Sequence, residues 1–166
     1  GKIFITKGLL QIMDNERQLV GVLAHEIAHV AAKHNVKGLQ RQMGAKVLAE
    51  LAGIAVGEDK AQAAQVATKV ITGMANLRYS RDDEFQADTV GIRYMTRAGY
   101  NPRGMVELLN KLNQLHESEP SRLEEMFQTH PLTSNRIAEA EQTIQANEEY
   151  RAKAQDAPDA AASKYM

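Results

Sequence analysis

No cysteine occurs among the 166 residues, so disulfides, thiolate-bound metal and cysteine nucleophiles are excluded within the chain. The absence does not fix a compartment, because cysteine-free domains occur in reducing and oxidising places alike. Tryptophan is missing too, and aromatics make up only 5%, so the core has to be aliphatic and alanine-rich. Neither charge sign prevails: 20 basic residues face 21 acidic ones, and the net charge of -1 gives no general pull toward nucleic acid. Long apolar runs are also lacking. The nearest approach to a membrane span of about 18 apolar residues, Met43 to Gly57, is broken by Lys46 and Glu50. No initiator methionine or signal-like stretch precedes Gly1-Lys2-Ile3, which is the expectation for a piece of a longer product.

What is present fits one folded unit, with 43% apolar and 25% charged residues around a single core. Lys2 to Thr6 is β-branched and aromatic and ends at Lys7-Gly8, so it reads as one short strand. Almost everything after it reads as helix. Asn15 with Gln18 three residues on predicts a helix from Glu16 to about His34, apolar on most of its circumference and therefore buried. The alanine-rich stretch from Gly38 to Asn76 reads as two helices separated at Gly57-Glu58-Asp59. Ser80 with Asp83 opens a helix that stops at Gly99, and Asn101-Pro102 opens the next, to about His116. A short helix follows Pro120-Ser121, Thr129 to Leu132 forms a loop, and a last helix runs from Ser134 to about Ala154. The fold expected is mainly α with a small β-sheet.

The chemistry concentrates in His25-Glu26-Ile27-Ala28-His29. Histidines at i and i+4 project from one helical face, so both imidazoles can reach a single metal ion. Glu26 points slightly off that axis, where it can meet a water instead of the metal. This is the H-E-x-x-H arrangement of zinc peptidases. A catalytic zinc takes a third protein ligand and keeps a fourth position open. A histidine six residues after the second is one source, but Asn35 stands there. His34 misses that place by one residue, about 100° around a helix, and is expected to be exposed near the helix end. A glutamate from a later helix is the other source. Glu84 and Asp88 share a face at i and i+4, with small Ala87 permitting close helix approach. Glu84 can then bind the metal while Asp88 orients a ligand histidine.

Several segments in order carry a resemblance. They are Gly8-Leu9-Leu10, the histidine motif through Val30, Tyr79 to Asp88, Arg97 to Pro102, and Thr129-His130-Pro131. Together they resemble the gluzincin peptidases and, more narrowly, the family of HtpX and the type I CAAX prenyl proteases. The resemblance implies an α+β zincin-like domain, with the histidine helix packed against a second ligand helix. It implies that His25, His29 and Glu84 bind one Zn2+ per chain and that Glu26 is the general base. The interval between the two motifs lacks membrane helices, which is similar to the soluble, BepA-like periplasmic branch. A bacterial periplasm or envelope location, and unfolded or misassembled envelope polypeptides as substrates, follow from that likeness. The family carries further residues ahead of Gly1, so a domain over 1–154 is expected to lack its N-terminal part, with 155–166 a flexible tail.

The same resemblance puts the His130 loop near the zinc, followed by Arg136. His130 can stabilise the oxyanion or occupy the open metal position, and both roles stay open. Arg136 either pairs with an acidic residue near the site or decorates the last helix. His116 has no partner in any motif and is expected to face solvent. Two further expectations concern surfaces. Lys2 to Thr6 can receive an extended substrate by strand addition. The Met43 to Met74 region, with Leu48, Leu51, Ile54, Val66, Val70 and Ile71, can pack in the core, cover the site or touch a membrane surface. The competing reading of the whole chain is a zinc-stabilised, latent chaperone-like or interaction module.

Overall fold

The computed structural model describes residues 2–42, 44, 64–65, 67–68, 72–73 and 77–155. Among these residues the regular structure is helical and no strand is present, so the expected small β-sheet and the α+β class are corrected. Residues 2–6 have the composition of a strand but no ladder partner among the described residues. β-branched side chains favour an extended backbone, yet a sheet also needs a neighbour to receive its N–H and C=O groups. Thr6 is extended (φ -69°, ψ 147°), and its hydroxyl caps a short helix, α1 (Lys7–Gln11), that the sequence pattern misses. The expectations placed on Met43, Leu48, Leu51, Ile54, Val66, Val70, Ile71 and Met74, on the break at Gly57-Glu58-Asp59 and on the tail beyond Gln155 lie outside the described residues.

α2 (Glu16–Ala31) starts where its cap predicts, with the Asn15 side chain accepting from the Gln18 amide. It ends earlier than expected. Lys33 adopts φ 57°, and residues 34–42 form a separate helix, α3. α4 (Arg81–Arg97) opens on a complete capping box between Ser80 and Asp83, and its chain turns at Gly99 with φ 87°. α5 (Arg103–Ser118) follows Asn101-Pro102, where Asn101 Oδ1 accepts from the Arg103 amide at 2.9 Å. A 3-10 turn (Pro120–Leu123) leads into α6 (Glu124–Thr129). The expected single last helix is two: α7 (Ser134–Ala146) and α8 (Glu148–Ala154), separated by extended Asn147, which caps α8 through the Tyr150 amide.

α2 lies between α4 and α5, α7 crosses both of those, and α8 folds back on α7 and α4. One apolar cluster joins Ala24, Ile92, Met95, Met105, Leu109 and Ile144; another joins Ile12, Val22, Leu108, Leu112 and Leu123. Full burial of a side chain such as Ile92 or Leu109 stabilises by about 1.5–3 kcal/mol. Two glycines let the backbones approach. A Cβ on Gly104 would sit 2.5 Å from the Arg17 carbonyl oxygen, and one on Gly91 would sit 3.3 Å from the His25 nitrogen. The second contact presses α4 against the turn of α2 that carries the histidine motif. α2 is not buried all round, however. Ile27 and Val30 are 45% and 63% exposed, so the outer face of the motif helix is open among the described residues.

Candidate active site

His25 and His29 project from α2 toward α4, and their Nε2 atoms lie 2.9 Å apart. Both rings are buried, as are Glu84 and Asp88 one turn apart on α4. Glu84 Oε1 is 3.3 Å from His29 Nε2, and Glu84 Oε2 is 3.6 Å from His25 Nε2. His130 enters from the loop after α6, with Nδ1 3.0 Å from Glu84 Oε1 and 3.4 Å from His25 Nε2. One donor atom from each of His25, His29, Glu84 and His130 lies within 4.8 Å of the others. Two helices and one loop, far apart in sequence, thus converge on one point.

The hydrogen bonds behind the histidines decide which of their nitrogens carry lone pairs. His25 Nδ1 lies 2.9 Å from Asp88 Oδ1, and a carboxylate only accepts, so Nδ1–H donates and the neutral ring presents a lone pair at Nε2. His34 is fully buried rather than exposed as expected. Its Nε2 faces Gln86 Oε1 at 2.8 Å and Asp83 Oδ1 at 3.7 Å, so it donates there and leaves Nδ1 as an acceptor. His29 Nδ1, 2.9 Å from that acceptor, therefore donates, and His29 Nε2 also carries a lone pair. Two lone pairs 2.9 Å apart beside a carboxylate repel one another unless a cation lies between them. This donor set fits a divalent metal with imidazole and carboxylate ligands.

Electrostatics agree with that need. Burial pushes Glu84 up, but contacts with His130 and His29 and the charges of His25 and Arg136 outweigh it and hold the carboxyl well below its usual range. Asp88 is likewise kept ionised against burial by His25 and Arg136. Burial pushes His29 down toward the neutral form, whereas for His25 the same effect is outweighed by Asp88 and Glu84, and its affinity for a proton rises. The site attracts positive charge.

Arg136, on α7, proves to pair with acidic residues. Its Nε and Nη2 reach the two oxygens of Asp88 at 2.7 and 2.8 Å, and Nη1 lies 2.5 Å from Glu84 Oε2. Tyr79 stacks on His29 with ring centres 3.9 Å apart, its hydroxyl on Asn35 Oδ1. Its amide donates to the Thr129 carbonyl at 3.0 Å, next to His130. Sequence spacing missed Tyr79, Gln86 and His34, because none is at a ligand position and each acts across a helix boundary. His116 is exposed, against Phe127 and away from the site.

Glu26 lies beside the cluster and is half-buried, with Oε1 3.7 Å from His130 Nε2. His25, Glu26 and His130 also line a cavity of about 340 Å³ whose other walls include Leu9, Val22 and Leu112. A glutamate carboxyl group therefore borders an apolar space large enough for a bulky side chain.

A profile of peptidase family M48 matches residues 1–144. The chain is 33% identical over 147 residues to the beta-barrel assembly-enhancing protease of Escherichia coli (strain K12), a match covering 84% of this chain and 30% of that protein. To metalloprotease LoiP of the same organism it is 32% identical over 141 residues, 82% of this chain and 52% of the relative. Mitochondrial metalloendopeptidase OMA1 of Saccharomyces cerevisiae is 27% identical over 90% of the chain, which spans 43% of that protein. The chain thus spans about a third to a half of these relatives.

Proposed function

The chain belongs to peptidase family M48, and as a metallopeptidase of that family we propose that it is a zinc-dependent endopeptidase with Glu26 as its general base. The observation that carries this reading is the convergence of the His25 and His29 lone pairs with Glu84 Oε1 on one point. His25, His29 and Glu84 would hold the metal, which when bound supplies Lewis acidity to water and to a peptide carbonyl. Asp88, clamped by Arg136, orients His25 through Nδ1–H. Glu26 takes a proton from the attacking water and returns it to the leaving amine. The apolar cavity beside Glu26 favours polypeptides that expose large apolar side chains, which supports unfolded or misassembled proteins as substrates. The likeness to a beta-barrel assembly-enhancing protease supports envelope polypeptides and a periplasmic setting.

His130 supports a second state of the same enzyme. Its Nδ1 is as near the donor cluster as the three expected ligands, and a closed set of four protein donors leaves no position for water. The latent form is then the one with His130 in place, and turning its loop outward opens the site. Zinc analysis of the purified chain tests the core of the reading. About one zinc per chain is expected, lost or weakened in Glu84→Ala, while Glu26→Gln retains zinc and abolishes cleavage of a denatured protein substrate. Cleavage surviving in Glu26→Gln would refute the mechanism. His130→Ala is expected to raise peptidase activity and weaken zinc. Lower activity would assign His130 to the oxyanion instead.

A further inference from the structure

The two ligand histidines of the proposed site are anchored in different ways. His25 rests on a carboxylate, Asp88, whereas His29 rests on a second imidazole. We infer that His34 is a positioning residue of the metal centre: its Nδ1 accepts the His29 Nδ1–H and thereby fixes the tautomer and ring plane that turn His29 Nε2 toward the metal. This inference rests on the metallopeptidase reading.

His34 is fully buried, and both its nitrogens are engaged, Nδ1 with His29 at 2.9 Å and Nε2 with Gln86 at 2.8 Å. The direction of the chain of donors comes from its far end. Gln86 Oε1 accepts from Nε2–H, and the Asp83 carboxylate beyond it, held by Ser80 and Arg41, can only accept. With Nε2–H donating there, His34 presents the lone pair of Nδ1 to His29. The backbone is shaped for this contact. In a continuous helix, position 34 would lie about 140° around the axis from position 29, facing away from the ring it touches. Lys33 instead adopts φ 57°, in the left-handed region that non-glycine residues rarely enter. The break it makes starts α3 with His34 against the edge of His29. The next residue, Asn35, accepts from Tyr79, whose ring covers a face of His29. Adjacent residues thus serve the edge and the face of one ligand ring, so the early end of α2 has a structural purpose.

The test is zinc affinity of the 166-residue chain, measured by competition with a chromophoric chelator, with the melting temperature of each metal-free variant and the absorption spectrum of its cobalt form. His34→Leu removes the acceptor and is expected to weaken zinc roughly 10- to 100-fold. His34→Asn, whose Oδ1 falls near the place of Nδ1, is expected to keep affinity and cobalt spectrum near those of the parent chain. His34→Gln keeps a polar group toward Gln86 but offers nothing to His29, and should lose affinity like leucine; it replaces the leucine variant should that one fail to fold. Unchanged affinity in His34→Leu or His34→Gln would overturn the inference. So would equal losses in asparagine and leucine, which would make His34 a filler of space. A parent chain that binds no zinc would remove the metallopeptidase reading itself, a result distinct from either.

Discussion

At Arg136 one guanidinium serves two buried carboxylates, making a bidentate pair with Asp88 and a single contact with Glu84. Taking a charge out of water is costly, and removing one partner of a buried pair leaves the other uncompensated. Arg136→Ala is therefore expected to lower unfolding free energy by about 3–5 kcal/mol, read from urea denaturation of the metal-free chain. Arg136→Lys should recover only part, because an ammonium cannot match the two oxygens of Asp88 in one plane. Tyr79 shows a related effect on a neutral group. Burial, with the charges of Glu26, Glu84 and Asp83, pushes its phenol up to about 12, so it stays a donor toward Asn35 throughout the physiological range. His25 and His29 stood out from residue type and spacing, and Glu84 only in partnership with them, as candidates to share one metal ion. His34 did not, and Arg136 stayed open between pairing with an acidic residue and decorating its helix, since such a choice is made only by what the fold places beside the side chain.

The crossing of α2 and α5 depends on a residue that has no side chain. A methyl group at Gly104 would meet the backbone of Arg17, which cannot move aside as a flexible side chain can. Gly104→Ala is expected to cost about 1–3 kcal/mol by forcing the helices apart. Gly99→Ala meets nothing within 4 Å, so its cost is only the left-handed backbone, about 1–2 kcal/mol. Thermal unfolding of the two variants separates the causes: only the first should also disturb the apolar packing around Leu108 and weaken zinc binding. The starts of α2 and α4 were readable because a cap is a local pattern of a few residues. The break at Lys33 and the one at Asn147 were not, because no glycine or proline marks either. The apparent strand at residues 2–6 failed for a different reason: local preference describes one chain, and pairing needs two.

Over the whole molecule the charges nearly cancel, yet the site collects two ionised carboxylates against one guanidinium. Metal binding should offset the resulting excess. Zinc at about 100 times its dissociation constant is expected to add about 2.7 kcal/mol to stability, and a chelator should remove it. Acid should act on the same groups. Glu84, Asp88 and Asp83 have folded values below their ordinary 4.5, 3.8 and 3.8. Their contribution is thus complete above those values and is lost as pH falls through the lower folded ones. His29, also shifted down, loses stability in the same direction below its ordinary 6.5, whereas His25, shifted up, contributes below that value and loses its contribution as pH rises through its folded one. The two histidines oppose each other near neutrality. Chemical denaturation of the metal-free chain should accordingly show a modest pH dependence around 6.5 and a steep loss below about 4. Stability that rises on acidification below 4 would contradict these assignments.

The amino-acid sequence by itself determined the helical character, most helix starts and the paired histidines of the H-E-x-x-H motif, because each depends on residues a few positions apart. The tertiary structure alone decided that the described residues form no sheet, that the outer face of α2 is open, and that His34 turns inward. It also decided what stands behind each motif histidine. Asp88 with Arg136 and His34 with Asp83 join residues 48 or 49 positions apart, and such contacts are set by the packing of whole helices rather than by any local preference.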